Sequence, residues 1–403
     1  MPIVVPRALI DRGGPVRLIV SGGGSGGHTF PAVTVVRAAR VALGVYGLEL
    51  QAHWVGSRGG IEETVAAQED VPFTAIPTGK LRRARNPLAM LSAANIRDAG
   101  KVPAGVIKAI SVVGKIAPDA VLCSGGYVSV PVGLAARVRR RPLLIHEQTV
   151  QVGLANRITM RGARRIALSA DPAMALLPRR LQGRAVVTGN PIRPGLGNGD
   201  PSAAAPRLGW SGWTPALPTV YVTGGSLGAR QVNELVAGVL PELLRSANVL
   251  HQAGSQLAEA ALAAAETLPP ELRRRYLVRG FIGDELADVL ALADVIVARS
   301  GGGTVSELTA LGKPSVLIPL IPTGGDEQRR NAEHLAERGA ARVLIGQDAT
   351  PPRLAEELRA LLTDPACRST MSARAREMGR PDAADALTTE VLALCASTHN
   401  STP

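Results

Sequence analysis

Near the start of the chain a histidine closes a run of glycines, Ser21-Gly22-Gly23-Gly24-Ser25-Gly26-Gly27-His28. Glycines let main-chain amides approach a ligand closely, and the first turn of a following helix attracts anions. Phosphate is the ligand such a loop suits, and five glycines exceed what a tight strand-to-helix turn needs. At the start of that helix His28 can reach a cleft and, kept neutral by the helix N-terminus, act as a base; a capping or packed histidine fits the spacing equally well. The design returns in Thr223-Gly224-Gly225-Ser226-Leu227-Gly228-Ala229-Arg230, with Ser226 as a hydroxyl donor. A third run, Ala298-Arg299-Ser300-Gly301-Gly302-Gly303-Thr304-Val305-Ser306-Glu307, places Glu307 one turn into a helix. A carboxylate there suits the paired hydroxyls of a ribose, and a surface glutamate is the plainer reading. Finally, Gly324-Gly325-Asp326-Glu327-Gln328-Arg329-Arg330-Asn331 offers polar side chains for sugar hydroxyls, or a solvated helix start capped by Asp326.

A metal-assisted nucleotide-sugar transferase usually holds its ion on an Asp-x-Asp pair, and the chain has none. Charge on a leaving diphosphate must then fall to helix N-termini and a cation. Arg193, after Gly189-Asn190-Pro191-Ile192, is the natural cation at the junction of two halves. Gly22, Gly24 and Gly27 also match the dinucleotide pattern G-x-G-x-x-G, which alone is weak. An NAD site would carry an acid at the end of the second strand. That strand reads His53-Trp54-Val55-Gly56-Ser57-Arg58. NAD is disfavoured, and Arg58 keeps an NADP-linked oxidoreductase only as a distant rival.

The elements that position these residues recur as an apolar run, a glycine turn and a helical pattern: Arg17–Val20, Ala120–Cys123, Thr219–Thr223 and Val295–Val297 each run into glycines. Alternating strands and helices predict α/β units with parallel sheets, whose ligands sit at the carboxyl ends of the strands. With 403 residues, two such units are expected. The stretch Arg193–Pro218, rich in Pro, Gly, Ser and Ala, reads as their linker. Aromatic residues are only 2%, so the cores must be Ala, Val, Leu and Ile, and single-strand nucleic-acid binding lacks its stacking platforms. The net charge of +12 therefore points to phosphorylated ligands or an anionic membrane surface. Cys123, Cys367 and Cys395, odd in number and far apart, suggest neither disulfides nor zinc, hence a reducing compartment. No signal peptide or spanning apolar run is recognisable, so membrane contact is expected to be peripheral. The basic cluster Lys80-Leu81-Arg82-Arg83-Ala84-Arg85 suits anionic lipid or an acceptor diphosphate. Val102, Val106, Ile110 and Val113 recur at helical spacing, as on a helix that faces a core.

Taken together, these motifs resemble the MurG family of peptidoglycan N-acetylglucosaminyltransferases. The pieces are Gly22–Ala32, Gly125-Gly126-Tyr127-Val128-Ser129, His146-Glu147-Gln148, Gly189–Arg193, Gly224–Ala229, Arg299–Glu307 and Gln328–Ala332, in family order. The resemblance implies a GT-B type α/β fold of two Rossmann-like domains facing a cleft. Residues 1–195, completed by a C-terminal helix at about 380–396, would bind the acceptor. Residues 196–379 would bind UDP-GlcNAc. It implies His28 as general base. Ser25, Gly26, Gly27, Arg193 and Ser226 would lie at the diphosphate and Ile282 at the uracil. Gly302, Gly303, Thr304, Val305, Ser306 and Glu307 would line the nucleotide, and Thr149, Gln328 and Asn331 the sugar. Tyr127, Arg82 and Arg83 would serve the acceptor and membrane. The implied reaction is inverting, cofactor-free transfer of GlcNAc to the C4 hydroxyl of MurNAc in undecaprenyl-diphospho-MurNAc-pentapeptide, at the cytoplasmic face of the membrane. Two departures stand out: Thr149 where the family has Asn, and Gly303 where a side chain is often present. A paralogue with another acceptor, or a non-catalytic UDP-sugar-binding protein, are the alternatives. UDP-sugar epimerases and natural-product glycosyltransferases are weaker likenesses of the same fold.

Overall fold

The structure is a computed structural model that describes residues 2–79, 93–321 and 326–397. The basic cluster with Arg82 and Arg83, and the Gly324-Gly325 pair, lie outside those residues. The chain divides into two compact units, Met1–Ile192 with Pro381–Pro403, and Arg193–Arg380. Arg193 is thus the first residue of the second unit.

The first unit is built on seven parallel strands: β1 Val16–Gly22, β2 Leu50–Gly56, β3 Phe73–Ala75, β4 Ala120–Gly125, β5 Leu143–Glu147, β6 Arg165–Leu168 and β7 Ala185–Val187. Their order is β3-β2-β1-β4-β5-β6-β7, so the chain reverses direction across the sheet between β1 and β4. Alternate residues of β1 enter different cores. Leu18 and Val20 pack with the helix Gly26–Gly44, while Ile19 packs with Val121, Cys123 and the helix Ser129–Val138. A sheet covered on both faces explains the unbroken apolar strands. The spacing at Val102–Val113 belongs to the helix Ala93–Ile116, which buries Ala109 and Val113 in that second core. A last helix, Ala383–Ala396, returns to this unit and buries Leu387, Val391, Leu392 and Cys395 against β1, β4 and Gly26–Gly44. Glu390 on it accepts from Arg165 Nε at 2.6 Å.

The second unit repeats the plan with β8 Thr219–Thr223, β9 Asn248–Gln252, β10 Tyr276–Arg279, β11 Val295–Ala298, β12 Ser315–Leu317 and β13 Arg342–Val343. The order β10-β9-β8-β11-β12-β13 puts its switch point between β8 and β11. The stretch expected as a linker is instead part of this unit. Asp200 caps the helix Pro201–Arg207 by accepting from Ser202 N at 2.8 Å. Leu196, Ala205, Leu208 and Trp210 enter its core. Scattered among prolines and glycines, these apolar residues make no legible period. All three cysteines are free, and burial pushes the Cys123 thiol up to about 12.

Candidate functional site

In the first unit the glycine loop crosses the carboxyl ends of β1 and β4, where Gly22 pairs with Gly125. Helical bonding begins when the amides of His28 and Thr29 reach Ser25 O, each at 3.2 Å, so those of Gly26 and Gly27 have no acceptor in the helix. The loop is pressed close to its neighbours. A Cβ on Gly126, whose φ is +79°, would lie 2.2 Å from Gly23 O, and Tyr127 stands against Gly24. Behind the loop, fully buried Glu62 accepts from Gly24 N at 3.2 Å, Ser57 N at 3.0 Å and Ser57 Oγ at 2.6 Å. Glu62 lies in the helix Ile61–Gln68 after β2, and these donors occupy both of its oxygens.

His28 is half-buried, with its ring edge on the Gly125-Gly126 main chain. Its Nδ1 lies 2.9 Å from Gln148 Oε1 and 3.1 Å from Ser124 O. Gln148 follows β5 and is itself buried; its amide nitrogen meets Ser124 O and, at 3.2 Å, His146 Nδ1. His146 Nε2 lies 3.1 Å from Gly189 O. Burial pushes His146 down to about 4, despite the Gly189 carbonyl. Burial raises Glu147, although Gly153 N, Asn156 Nδ2 and Thr149 Oγ1 donate to it. The Thr149 hydroxyl, expected at the sugar, is therefore engaged by Glu147 at 2.9 Å and Gln151 O at 2.7 Å.

In the second unit, three residues separate β11 from the helix Gly302–Leu311, which has no acid in its first turn. Its internal bonding starts at Val305 N, which reaches Gly301 O at 2.9 Å. The amides of Gly302, Gly303 and Thr304 thus lack helical acceptors and, with the helix dipole, suit an anion. The Val305 side chain packs on the core, and the Ser306 hydroxyl donates to Gly302 O at 2.8 Å. The Ser306 oxygen keeps its acceptor capacity. Arg193 and Glu307, assigned from sequence to different parts of a nucleotide, pair with each other at 3.1 Å. In the loop after β8, Gly228 at φ +75° would carry a Cβ 1.9 Å from Ala253 O, and Ser226 and Leu227 are exposed.

Other expected contacts are partly occupied. The amide of buried Ile282 donates to Gln252 Oε1 at 3.0 Å. Gln328 Oε1 accepts from Leu320 N at 2.9 Å, and Asn331 is buried with its amide on Ser300 O at 3.0 Å. Asp326, expected to cap the helix Glu327–Glu337, makes no side-chain cap and sits at φ 55°. Sequence reasoning assigned no role to Gln252, which ties Thr223, Gly225 and Ile282 together. Its only signal was its place at the end of β9. Among the described residues no cluster of three or more His, Cys, Asp or Glu is placed to hold a metal ion.

Comparison with known proteins agrees with this geometry. The glycosyltransferase family 28 N-terminal domain matches residues 18–168, and the family 28 C-terminal domain matches residues 219–387. A Treponema denticola protein is 35% identical over 356 residues, covering 85% of this chain and 88% of its own length. It is named UDP-N-acetylglucosamine--N-acetylmuramyl-(pentapeptide) pyrophosphoryl-undecaprenol N-acetylglucosamine transferase. A Lachnospira eligens protein of the same name is 34% identical over 349 residues, 86% of this chain and 91% of that one. The crystal structure of Acinetobacter baumannii MurG superposes with a TM-score of 0.71 at 27% identity, over 94% of this chain and 99% of that chain. Two parallel α/β units of Rossmann order, both family 28 domains and relatives matched along most of their length lead to one conclusion: the chain belongs to the MurG family of GT-B glycosyltransferases.

Proposed function

We propose that this protein transfers N-acetylglucosamine from UDP-GlcNAc to the C4 hydroxyl of MurNAc in undecaprenyl-diphospho-MurNAc-pentapeptide, with inversion at C1. The observation that carries the reading is the second unit's helix start, Gly302–Thr304, with Arg193 and Glu307 adjacent to each other. Main-chain donors and a guanidinium suit a diphosphate, and a carboxylate suits a ribose. On the first unit His28 takes the proton from the acceptor hydroxyl. The oxygen forms a bond to C1 as the bond from C1 to the UDP oxygen breaks. The charge that develops on UDP is met by donors already in place. Because the Thr149 hydroxyl is engaged by Glu147 and Gln151, the sugar loses one of the groups that the family's asparagine would offer. A modified acceptor is the second reading, on the same donor.

UDP release from UDP-GlcNAc, measured with the lipid-linked MurNAc-pentapeptide and EDTA present, tests the proposal. UDP should appear in step with a disaccharide product. Donor turnover that ignores the acceptor would point to a binding protein instead. Replacing His28 with Ala should lower kcat by roughly 10²–10⁴-fold, as loss of a general base does, with the donor KM nearly unchanged. We further place the protein at the cytoplasmic face of the membrane, held peripherally by anionic lipid. That placement is supported by the charge of +12.

A further inference from the structure

A base must present a lone pair, and a neutral imidazole has only one. Which ring nitrogen of His28 carries it follows from a chain of hydrogen bonds that begins far from the reaction. Gly189 O can only accept, so His146 Nε2, 3.1 Å away, carries a proton. Burial keeps His146 neutral down to about pH 4, so its Nδ1 is bare. The group facing that bare nitrogen at 3.2 Å must be a donor, the Gln148 amide NH₂. The same NH₂ meets Ser124 O and, at 3.3 Å, His146 O, so a flipped amide would set an oxygen against two carbonyls. Gln148 Oε1 is thereby turned to His28 Nδ1 at 2.9 Å, and Ser124 O accepts from the same nitrogen at 3.1 Å.

We propose that Gln148 and His146 are positioning residues that hold His28 in its Nδ1–H tautomer, with Nε2 bare and directed away from this chain of bonds. Both ends of the chain are main-chain carbonyls, whose polarity no proton can reverse. Gln148 therefore does with a neutral amide what a carboxylate does for the histidine of a Ser-His-Asp triad, without adding charge that would favour the imidazolium. Charge on His28 would lower both His146 and Glu147, and Glu62 and Tyr127 border the same loop at Gly24. The importance of the tautomer for turnover rests on His28 being the base; the tautomer itself does not.

The test combines nitrogen NMR of the full chain, ¹⁵N-labelled at histidine, with kinetics. His28→Gln assigns the His28 resonances. In the native protein at neutral pH His28 should show a protonated Nδ1 and a bare Nε2. Gln148→Leu, or the longer Gln148→Met should Leu fail to fold, should mix the two forms. Either variant should lower kcat roughly 10–100-fold with the donor KM within about twofold. A bare Nδ1 in the native protein, or an unmixed tautomer in Gln148→Leu and Gln148→Met, overturns the proposal. Mixed tautomers with full activity uphold the hydrogen-bond chain and refute His28 as the base.

Discussion

Arg193 Nε and Glu307 Oε1 meet at 3.1 Å with 44% and 19% of their side chains exposed. A pair so wet contributes only about 0–1 kcal/mol to stability. Its interest lies in what it keeps together: the guanidinium and the carboxylate that we propose serve different parts of one nucleotide. On that proposal a diphosphate that competes for Arg193 would release Glu307 for ribose hydroxyls. Arg193→Ala should therefore leave the unfolding midpoint within about 1 kcal/mol of native and weaken UDP about 10–100-fold, the loss of one or two charge-assisted bonds. Calorimetric titration with UDP decides this, and a dissociation constant within twofold of native would remove Arg193 from the diphosphate. At this scale the sequence is informative about which residues stand at strand ends, because a glycine run after an apolar strand has one place to go. It is silent about who meets whom. His28 and Gln148 are 120 positions apart, and Arg193 and Glu307 are 114 apart. No local pattern encodes either meeting.

The element that deserves the next experiment is the short helix Ile61–Gln68, which presents Glu62 to the back of the glycine loop. The loop curves because three donors converge on that buried carboxylate: Gly24 N, Ser57 N and Ser57 Oγ. A Cβ on Gly23 would fall 2.3 Å from it. Glu62→Ala leaves those donors buried without an acceptor and should cost about 3 kcal/mol; Glu62→Gln, which keeps one oxygen, should cost about half that. Urea unfolding of the full chain measures both. A change under 0.5 kcal/mol, roughly the scale of an ordinary surface substitution, would mean the loop holds its shape without Glu62. At the scale of elements, most of the fold was readable. The strands Thr219–Thr223 and Val295–Val297 stand out as β-branched runs that end in glycine. The helix Pro201–Arg207 was not readable, because its core contacts come from Ala204 and Ala205 between two prolines and so lack an amphipathic stripe.

The whole molecule carries +12, and charge of that size acts at a distance. If anionic lipid is the anchor, flotation with phosphatidylglycerol vesicles should fall as salt rises, and it should fall further when Arg82, Arg83 and Arg85 are changed to Gln. Each basic residue near such a surface is worth roughly 1 kcal/mol. Equal flotation of native and variant proteins would place the anchor elsewhere.

Acid stability is also a property of the molecule, because each unit holds a deeply buried histidine, and half-buried His53 in the first unit is lowered by burial as well. Burial pushes His146 in the first unit and His251 in the second down to about 4. His251 is held there by Tyr276 OH at 2.7 Å from Nδ1 and Asn233 Oδ1 at 3.0 Å from Nε2. Below the ordinary imidazole value near 6.5, the unfolded chain takes up protons that the folded chain refuses. Stability should then be level above about pH 7 and decline toward pH 4, by up to about 3 kcal/mol for each such histidine. In the first unit buried Glu147 works against this trend. Its raised pKa lets the folded chain take up a proton first, which favours folding as the pH falls. No such carboxylate opposes His251 among the groups that shift it, so its full effect should appear in the second unit. Trp210 and Trp213 report on that unit once Trp54 is replaced by Phe. Urea titrations followed by their fluorescence between pH 5 and 8 should show the decline, and His251→Gln should flatten it. An equally steep slope without His251 would trace the acid loss to other groups.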